Sequence, residues 1–170
     1  VRPADDLPGY DQTLSRTETL TEHLMWQLRM LRLDDQVLAA AFEVVHNLDE
    51  RGWFSDGAEG WDLFVDQSDC DASVLTRARR ELLELDPVGV GALDLKECLL
   101  VQLRSLSLEN SHAYTLVDNH LELLGSLDLR HVSKSVGISV EELDEAKAMI
   151  SALEPRPGRA FMSNDLERNP

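Results

Sequence analysis

The chain has 170 residues, of which 43% are hydrophobic and 5% aromatic, and this length suits one ordinary domain or two small ones. Its 32 acidic residues outnumber its 16 basic residues, so the formal net charge is -16. This charge opposes binding to nucleic acid and to anionic membranes, because Lys and Arg supply most of the affinity for phosphate groups. A basic protein partner fits better, although solubility alone would also explain the charge.

The chain contains no apolar run near the roughly 18 residues that a membrane span needs, and no signal-peptide segment. Its two cysteines, Cys70 and Cys98, form no CxxC pair. This usage favours a reduced, cytoplasmic setting over a disulfide-rich secreted fold. Because the chain begins and ends in polar sequence, we interpret it as a fragment of a longer protein.

The first helices follow a Pro- and Asp-containing stretch, residues 1–17, which we predict to be a disordered lead-in. Thr19 and Glu22 have the spacing of a capping box, which predicts a helix over about 18–31. A second helix is predicted to begin at the N-cap Asp34 and to end before Gly52.

A turn-rich connector with two tryptophans, residues 53–62, is predicted to follow, and then a short helix over 63–66. Asp71 is predicted to cap the next helix, which stops at Asp86-Pro87 because proline disfavours helical geometry in the residue before it. The apolar stripe of this helix consists of Leu75, Ala78, Leu82 and Leu85.

The second half of the chain repeats this organisation. Four more helices are predicted. The first covers about 92–107, the second begins at Asn110 or Ser111, and the third covers about 127–136. The fourth begins at a capping box formed by Ser139 and Glu142 and ends before Pro155. The stripe of the last helix, which repeats the earlier stripe at an offset of 68 residues, consists of Leu143, Ala146, Ile150 and Leu153.

No segment alternates with period two, so we predict an all-α fold. It would consist of two small helical bundles, residues 18–88 and 89–160, with helix-turn-helix-like units joined at an Asp-Pro/Gly elbow. Residues 161–170 are interpreted as a linker toward a DNA-binding domain that is absent from the chain.

The residues that could carry chemistry do not form a catalytic, cofactor or metal pattern. Gly89 and Gly91 lack the Lys-Ser/Thr of a phosphate loop and follow a predicted helix, and Cys98 lies in an apolar run, which is typical of a small buried residue. The histidines, which share no metal-ligand spacing, are His23, His46, His112, His120 and His131. The chain is therefore predicted not to be an enzyme.

The one dense basic cluster consists of Arg77, Arg79 and Arg80. It keeps open a second hypothesis, a free-standing helix-turn-helix module that binds DNA. The alternative interpretation is a solvated helix face, because Glu81 and Glu84 lie beside the arginines.

The stretch from Leu85 to Leu103, LDPVGVGALDLKECLLVQL, resembles the signature of the sigma-54 family of bacterial RNA polymerase sigma factors. In that family the pattern is roughly L-D-P-x-G-V-G-A-R-D-L-x-E-C-L-x-L-Q-L, so Leu93 stands where arginine is usual. Further segments also resemble the family: 20–28 (LTEHLMWQL), 48–54 (LDERGWF) and 153–161 (LEPRPGRAF).

The resemblance implies an all-α domain that binds core RNA polymerase through the β flap and the β′ coiled coil. It implies no cofactor. In the family, promoter DNA and an ATP-driven activator act through other parts of the complete factor. The predicted polymerase contacts are Asp86, Pro87, Gly89, Val90, Gly91, Leu93, Asp94, Leu95, Arg156, Pro157, Gly158 and Arg159, with Arg77, Arg79 and Arg80 as a secondary basic patch.

Overall fold

The computed structural model describes residues 18–162, which form eight α-helices and two 3₁₀ helices. In this part of the chain the only strand-like pairing is one antiparallel bridge between Leu48 and Phe54, and the predicted all-α class is confirmed. The α-helices are α1 (Leu20–Met30), α2 (Asp35–Val45), α3 (Gly57–Gln67), α4 (Ala72–Leu83), α5 (Leu95–Ser105), α6 (His112–His120), α7 (Leu129–Val136) and α8 (Val140–Ser151). The 3₁₀ helices are Leu121–Gly125 and Pro157–Phe161.

Both predicted capping boxes form. At the start of α1, the Thr19 hydroxyl accepts from the Glu22 N–H and the Glu22 carboxylate accepts from the Thr19 N–H, each at 3.1 Å. Ser139 and Glu142 repeat this exchange at the start of α8, with both distances 3.0 Å. Each box satisfies backbone donors that have no partner within the helix.

The connector before α3 differs from the prediction. Residue Gly52 does not end α2, which stops at Val45, and the predicted short helix over 63–66 is part of the longer α3. The glycines at the start of α3 hid it, because glycine lowers helix propensity. Gly60 is nevertheless required there, since a Cβ would lie 2.0 Å from the Ser55 carbonyl oxygen.

The helix predicted over 92–107 begins later, at Leu95. Asp94 has an extended backbone and its carboxylate accepts from the Glu97 N–H at 2.8 Å, so it is the N-cap. Between Asn110 and Ser111, which the sequence left open, the structure selects Ser111, whose hydroxyl accepts from the Tyr114 N–H.

Two hydrophobic cores form, one in each half of the chain. The first lies among α1 to α4 and includes Leu24, Leu28, Val44, Phe54, Leu75 and Leu82; the second lies among α5 to α8 and includes Leu103, Leu116, Val117, Val132 and Leu143. A small third cluster contains Leu83, Ala92, Cys98 and Val101. The boundaries 18–88 and 89–160, and the helix-turn-helix-like character of the units, remain predictions.

The predicted lead-in 1–17, and all of the predicted linker beyond Met162, lie outside the described residues. Phe161 within that linker is half-buried against the first core. No helix in residues 18–162 has the length and apolar character needed to cross a membrane.

The capping box at α8 generates a pH prediction. The hydrogen bonds from the Ser139 backbone and hydroxyl hold the pKa of Glu142 below its usual value. A carboxyl group with a lower pKa in the folded state stabilises the fold above its unfolded pKa, about 4.3, and loses this effect as the pH falls through the folded value. We expect Glu142→Gln to lower the thermal unfolding midpoint at neutral pH. In acid, the midpoints of the variant and of the wild type should converge.

Circular dichroism melts across a pH series measure this convergence. Glu145→Gln is the matched control, because Glu145 is an exposed acid on the same helix and makes no capping bond. Parallel curves for Glu142→Gln and the wild type at every pH would contradict the prediction.

Candidate functional site

Three segments that carry the sequence resemblance meet in one place, which we call the junction. They are the turn 48–54, the elbow 84–94 and the closing segment 153–161. The elbow is tied to the turn by a short backbone hydrogen bond in which the Gly91 N–H donates to the Gly52 carbonyl at 2.7 Å. The motifs that looked separate in the sequence therefore build one structural unit.

The closing segment lies directly on the turn. The Gly158 N–H donates to the Arg51 carbonyl at 2.7 Å. A Cβ on Gly158 would lie 2.7 Å from the Glu50 carbonyl oxygen and 2.8 Å from the Gly52 nitrogen, and a Cβ on Gly52 would lie 2.9 Å from the Gly158 nitrogen. Two facing glycines thus allow two backbones to approach more closely than side chains permit.

The centre of the elbow, residues 89–92, is buried. Gly89 has φ +102° and its N–H donates to the Leu83 carbonyl at 2.9 Å, so the chain reverses directly onto the end of α4. A Cβ on Gly89 would lie 2.8 Å from the Cys98 sulfur. Gly91, with φ +86°, adopts a second left-handed conformation. These contacts explain the two glycines without any bound phosphate.

A glutamine side chain holds each acid–proline stop. The Gln27 amide nitrogen donates to the Asp86 carbonyl at 2.5 Å, and the Asp86 N–H donates to the Gln27 side-chain oxygen at 2.9 Å. Gln102 forms the same pair with the Glu154 backbone, at 2.6 Å and 2.8 Å. We call these two contacts the glutamine clamps. Each clamp satisfies a peptide group that no helix can satisfy.

Arg79 points inward from α4 and stabilises the elbow. Its side chain is 13% exposed, and its Nη1 atom donates to the Glu97 carboxylate at 2.6 Å and to the Gly91 carbonyl at 3.1 Å. The guanidinium also lies 5.0 Å from the ring centroid of Trp61. Of the predicted basic patch, Arg79 is therefore part of the interior network, whereas Arg77 and Arg80 are exposed.

The unusual residue Leu93 fits this network. Its N–H donates to the same Glu97 carboxylate at 2.8 Å, and its half-buried side chain packs against the first core. The substitution of leucine for the family's usual arginine thus places an apolar group on an apolar surface, while Arg79 supplies the charge that pairs with Glu97.

Trp53 and His23 connect the closing segment to the rest of the junction. The Trp53 indole nitrogen donates to the Pro155 carbonyl at 3.0 Å, and the Arg51 guanidinium lies 4.1 Å from the centre of the indole ring. The His23 ring lies 5.3 Å from that of Phe161, and its Nε2 lies 3.0 Å from the Asp86 carboxylate.

Cys98 lies in the interior, as predicted. Burial raises the pKa of its thiol to about 11, so the neutral thiol is the form present at physiological pH. The Gln102 amide nitrogen lies 3.3 Å from its sulfur atom. Cys98 is therefore a small buried residue that packs beneath Gly89, because only a thiolate would be nucleophilic.

The predicted polymerase contacts divide into exposed and enclosed residues. The exposed ones are Asp86, Asp94, Arg156 and Arg159; the half-buried ones are Pro87, Leu93 and Leu95; the buried ones are Gly89, Val90, Gly91, Pro157 and Gly158. The buried members shape the junction, whereas the four exposed side chains are accessible to a partner; of these, the Asp86 carboxylate also contacts His23 and the Asp94 carboxylate also caps α5. Residues 18–162 contain no group of three or more His, Cys, Asp and Glu side chains that could hold a metal ion.

Sequence reasoning missed the side chains that lock the junction, Gln27 and Gln102. A signal for them exists: each lies next to leucines on the apolar stripe of its helix, and a buried amide needs a hydrogen-bond partner. That partner is the backbone of a residue more than 50 positions away, which no local pattern identifies.

The fold and the junction define a class of protein: an all-α domain with two helical cores, whose most distinctive motifs form the connection between them. The family model described as "Sigma-54 factor, core binding domain" matches residues 9–168. The chain belongs to this sigma-54 core-binding-domain family.

Individual relatives agree with the family match. The chain is 35% identical to the RNA polymerase sigma-54 factor of Acidithiobacillus ferridurans, over 91% of this chain and 33% of that protein. It is 30% identical to the RNA polymerase sigma-54 factor of Escherichia coli K12, over 96% of this chain and 34% of that protein. The chain thus spans about a third of the length of these relatives.

The facing glycines generate a stability prediction. Gly158→Ala should destabilise the fold by about 1–3 kcal/mol, as overpacking does, because its Cβ would collide with backbone atoms that cannot rotate away. Gly125→Ala is the matched control, since no atom lies within 4 Å of its Cβ position. Urea unfolding of both variants measures the difference, and equal stabilities would contradict the predicted collision.

The glutamine clamps generate a second stability prediction. Gln102→Leu keeps the side-chain volume but leaves the Glu154 N–H and carbonyl without their partner, which should cost about 1–3 kcal/mol. Gln27→Leu should cost less, because the Asp86 backbone lies nearer to water. Chemical denaturation tests the order of the two losses, and a Gln102→Leu variant as stable as the wild type would show that this clamp is dispensable.

Proposed function

We propose that this chain binds core RNA polymerase as the docking domain of a sigma-54-type initiation factor, and that it has no catalytic activity of its own. The observation that carries the proposal is the match of the sigma-54 core-binding-domain model to residues 9–168. The junction supports this proposal. Most of the residues that carry the resemblance hold the two cores together, and four of the predicted contacts are exposed and accessible to a partner.

The finer assignments follow from the resemblance. The partners would be the β flap and the β′ coiled coil, and the rigid unit that meets them would be the pair of subdomains 18–88 and 89–160. Asp86, Asp94, Arg156 and Arg159 are the side chains proposed to touch polymerase. Promoter DNA and the ATP-driven activator would act through other parts of a complete factor, in the bacterial cytoplasm.

The alternative, a free-standing DNA-binding module, is less favoured. On α8, the second helix of the later helix-turn-helix-like unit, Glu141, Asp144 and Glu145 are exposed, and they would repel phosphates. On α4, the corresponding helix of the earlier unit, Arg79 is turned inward. A net charge of -16 adds to both effects.

Co-purification with core RNA polymerase tests the proposal. We expect the wild-type chain to bind at micromolar concentration, and Gly89→Val/Gly91→Val to lose binding because valine is strained at both positive φ values. Arg156→Glu/Arg159→Glu should weaken binding while leaving the circular dichroism melt unchanged. Failure of the wild-type chain to bind, or tight salt-sensitive binding to promoter DNA in a mobility-shift assay, would contradict the proposal.

A further inference from the structure

A cleft of about 270 Å³ lies between α4 and α5, behind the elbow. Its floor is apolar, because Leu83 and Val101 belong to the small third cluster. Its rim is polar and carries two arginines that come from different helices. The lining residues are Arg80, Leu83, Glu84, Val101, Arg104 and Ser105.

The arginines of this rim are available to a partner. Arg80 is exposed and forms no hydrogen bond or ion pair with another residue in the described range 18–162. Arg104 is also exposed, and one of its nitrogens donates to the Tyr114 hydroxyl at 2.9 Å, which leaves its other donors open. Glu84 is the one carboxylate in the lining, so the rim has a positive balance.

A second hollow with one more arginine and one more carboxylate adjoins the cleft. Arg80 also lines an adjoining hollow of about 620 Å³, together with Arg77 and Asp34. Arg77 and Asp34 are 3.8 Å apart and both exposed, and such a surface pair holds its charges only weakly. The two linings together contain three arginines and two carboxylates, so they carry a small positive balance on a chain whose formal net charge is -16.

The side chains of the cleft indicate what kind of partner it can bind. Unpaired guanidinium groups bind carboxylates through paired hydrogen bonds, and a shallow apolar floor takes an aliphatic or aromatic side chain at the centre of an interface. A nucleic-acid strand fits less well, because two or three arginines beside Glu84 neutralise few phosphates and the rest of the chain repels them.

We propose that this cleft docks an acidic segment of core RNA polymerase. The segment presents carboxylates to Arg80 and Arg104 and inserts one apolar side chain against Leu83 and Val101. This inference rests on the proposed polymerase binding. To Arg80, which the predicted basic patch already includes, it adds Arg104 on the rim and Leu83 and Val101 on the floor. It also reverses, at one place, the expectation that an acidic chain seeks a basic partner.

Charge reversal tests the cleft. Affinity for core RNA polymerase is measured by fluorescence anisotropy of the labelled chain, at low and at physiological salt. Arg80→Glu/Arg104→Glu should weaken binding at least about tenfold, because reversed charges now repel the segment. The control, Arg130→Glu/Lys134→Glu, makes the same change in net charge at exposed positions on α7, and its affinity should change by no more than about twofold.

The outcomes separate the two proposals. If the wild-type chain does not bind polymerase, the proposed function fails. If the wild-type chain binds and the two double variants bind equally well, the cleft proposal is overturned while the proposed function stands. Thermal melts of both variants exclude unfolding as the cause of a loss, since none of the four positions is buried.

Photo-crosslinking identifies the occupant. A benzoylphenylalanine placed at Ser105, which is exposed on the rim, should crosslink to a polymerase peptide that contains several Asp or Glu residues beside an apolar residue. A crosslink that maps to a basic peptide, or to nucleic acid in the promoter complex, would overturn the proposal.

Discussion

The structure depends on how two peptide groups that precede prolines are satisfied. Asp86 and Glu154 lie outside any helix, so their N–H and carbonyl groups have no helical partner, and leaving them unpaired costs more at the half-buried Glu154 than at the exposed Asp86. In each case a glutamine side chain from another helix supplies both the donor and the acceptor. Gln27 thereby fixes the elbow to α1, and Gln102 fixes the closing segment to α5. The facing glycines and Arg79 act on the same backbone segments that these clamps hold.

The other contacts of the junction depend on the close approach of backbone segments to the turn 48–54. The closing segment reaches the turn 48–54 only because Gly52 and Gly158 face each other, and the elbow reaches the same turn through the Gly91 N–H. The turn 48–54 is therefore hydrogen-bonded both to the elbow and to the closing segment. This arrangement brings into contact three segments that are far apart in the sequence.

Local patterns predicted the helices well where a cap or an apolar stripe marked them, as at Thr19, Asp71 and Ser139. They failed at α3, where glycine lowers the predicted helix propensity although the close approach of Ser55 and Asp56 leaves no room for a side chain at Gly60. The sequence predicted which motifs form the candidate site but not how their residues contact one another. Nothing local to Gln102 indicates that its partner is the Glu154 backbone, because that pairing exists only after both halves have folded.

The arginines of α4 show why bulk charge is a poor guide to a surface. Arg79 and Arg80 are neighbours in the sequence, but the helical rotation between them directs one toward Glu97 and Trp61 and the other toward the cleft. The sequence could not separate a structural arginine from an available one, nor add Arg104, which joins Arg80 only when α5 packs beside α4. Net charge averages over these roles, whereas a partner meets the charges that the fold has left unpaired.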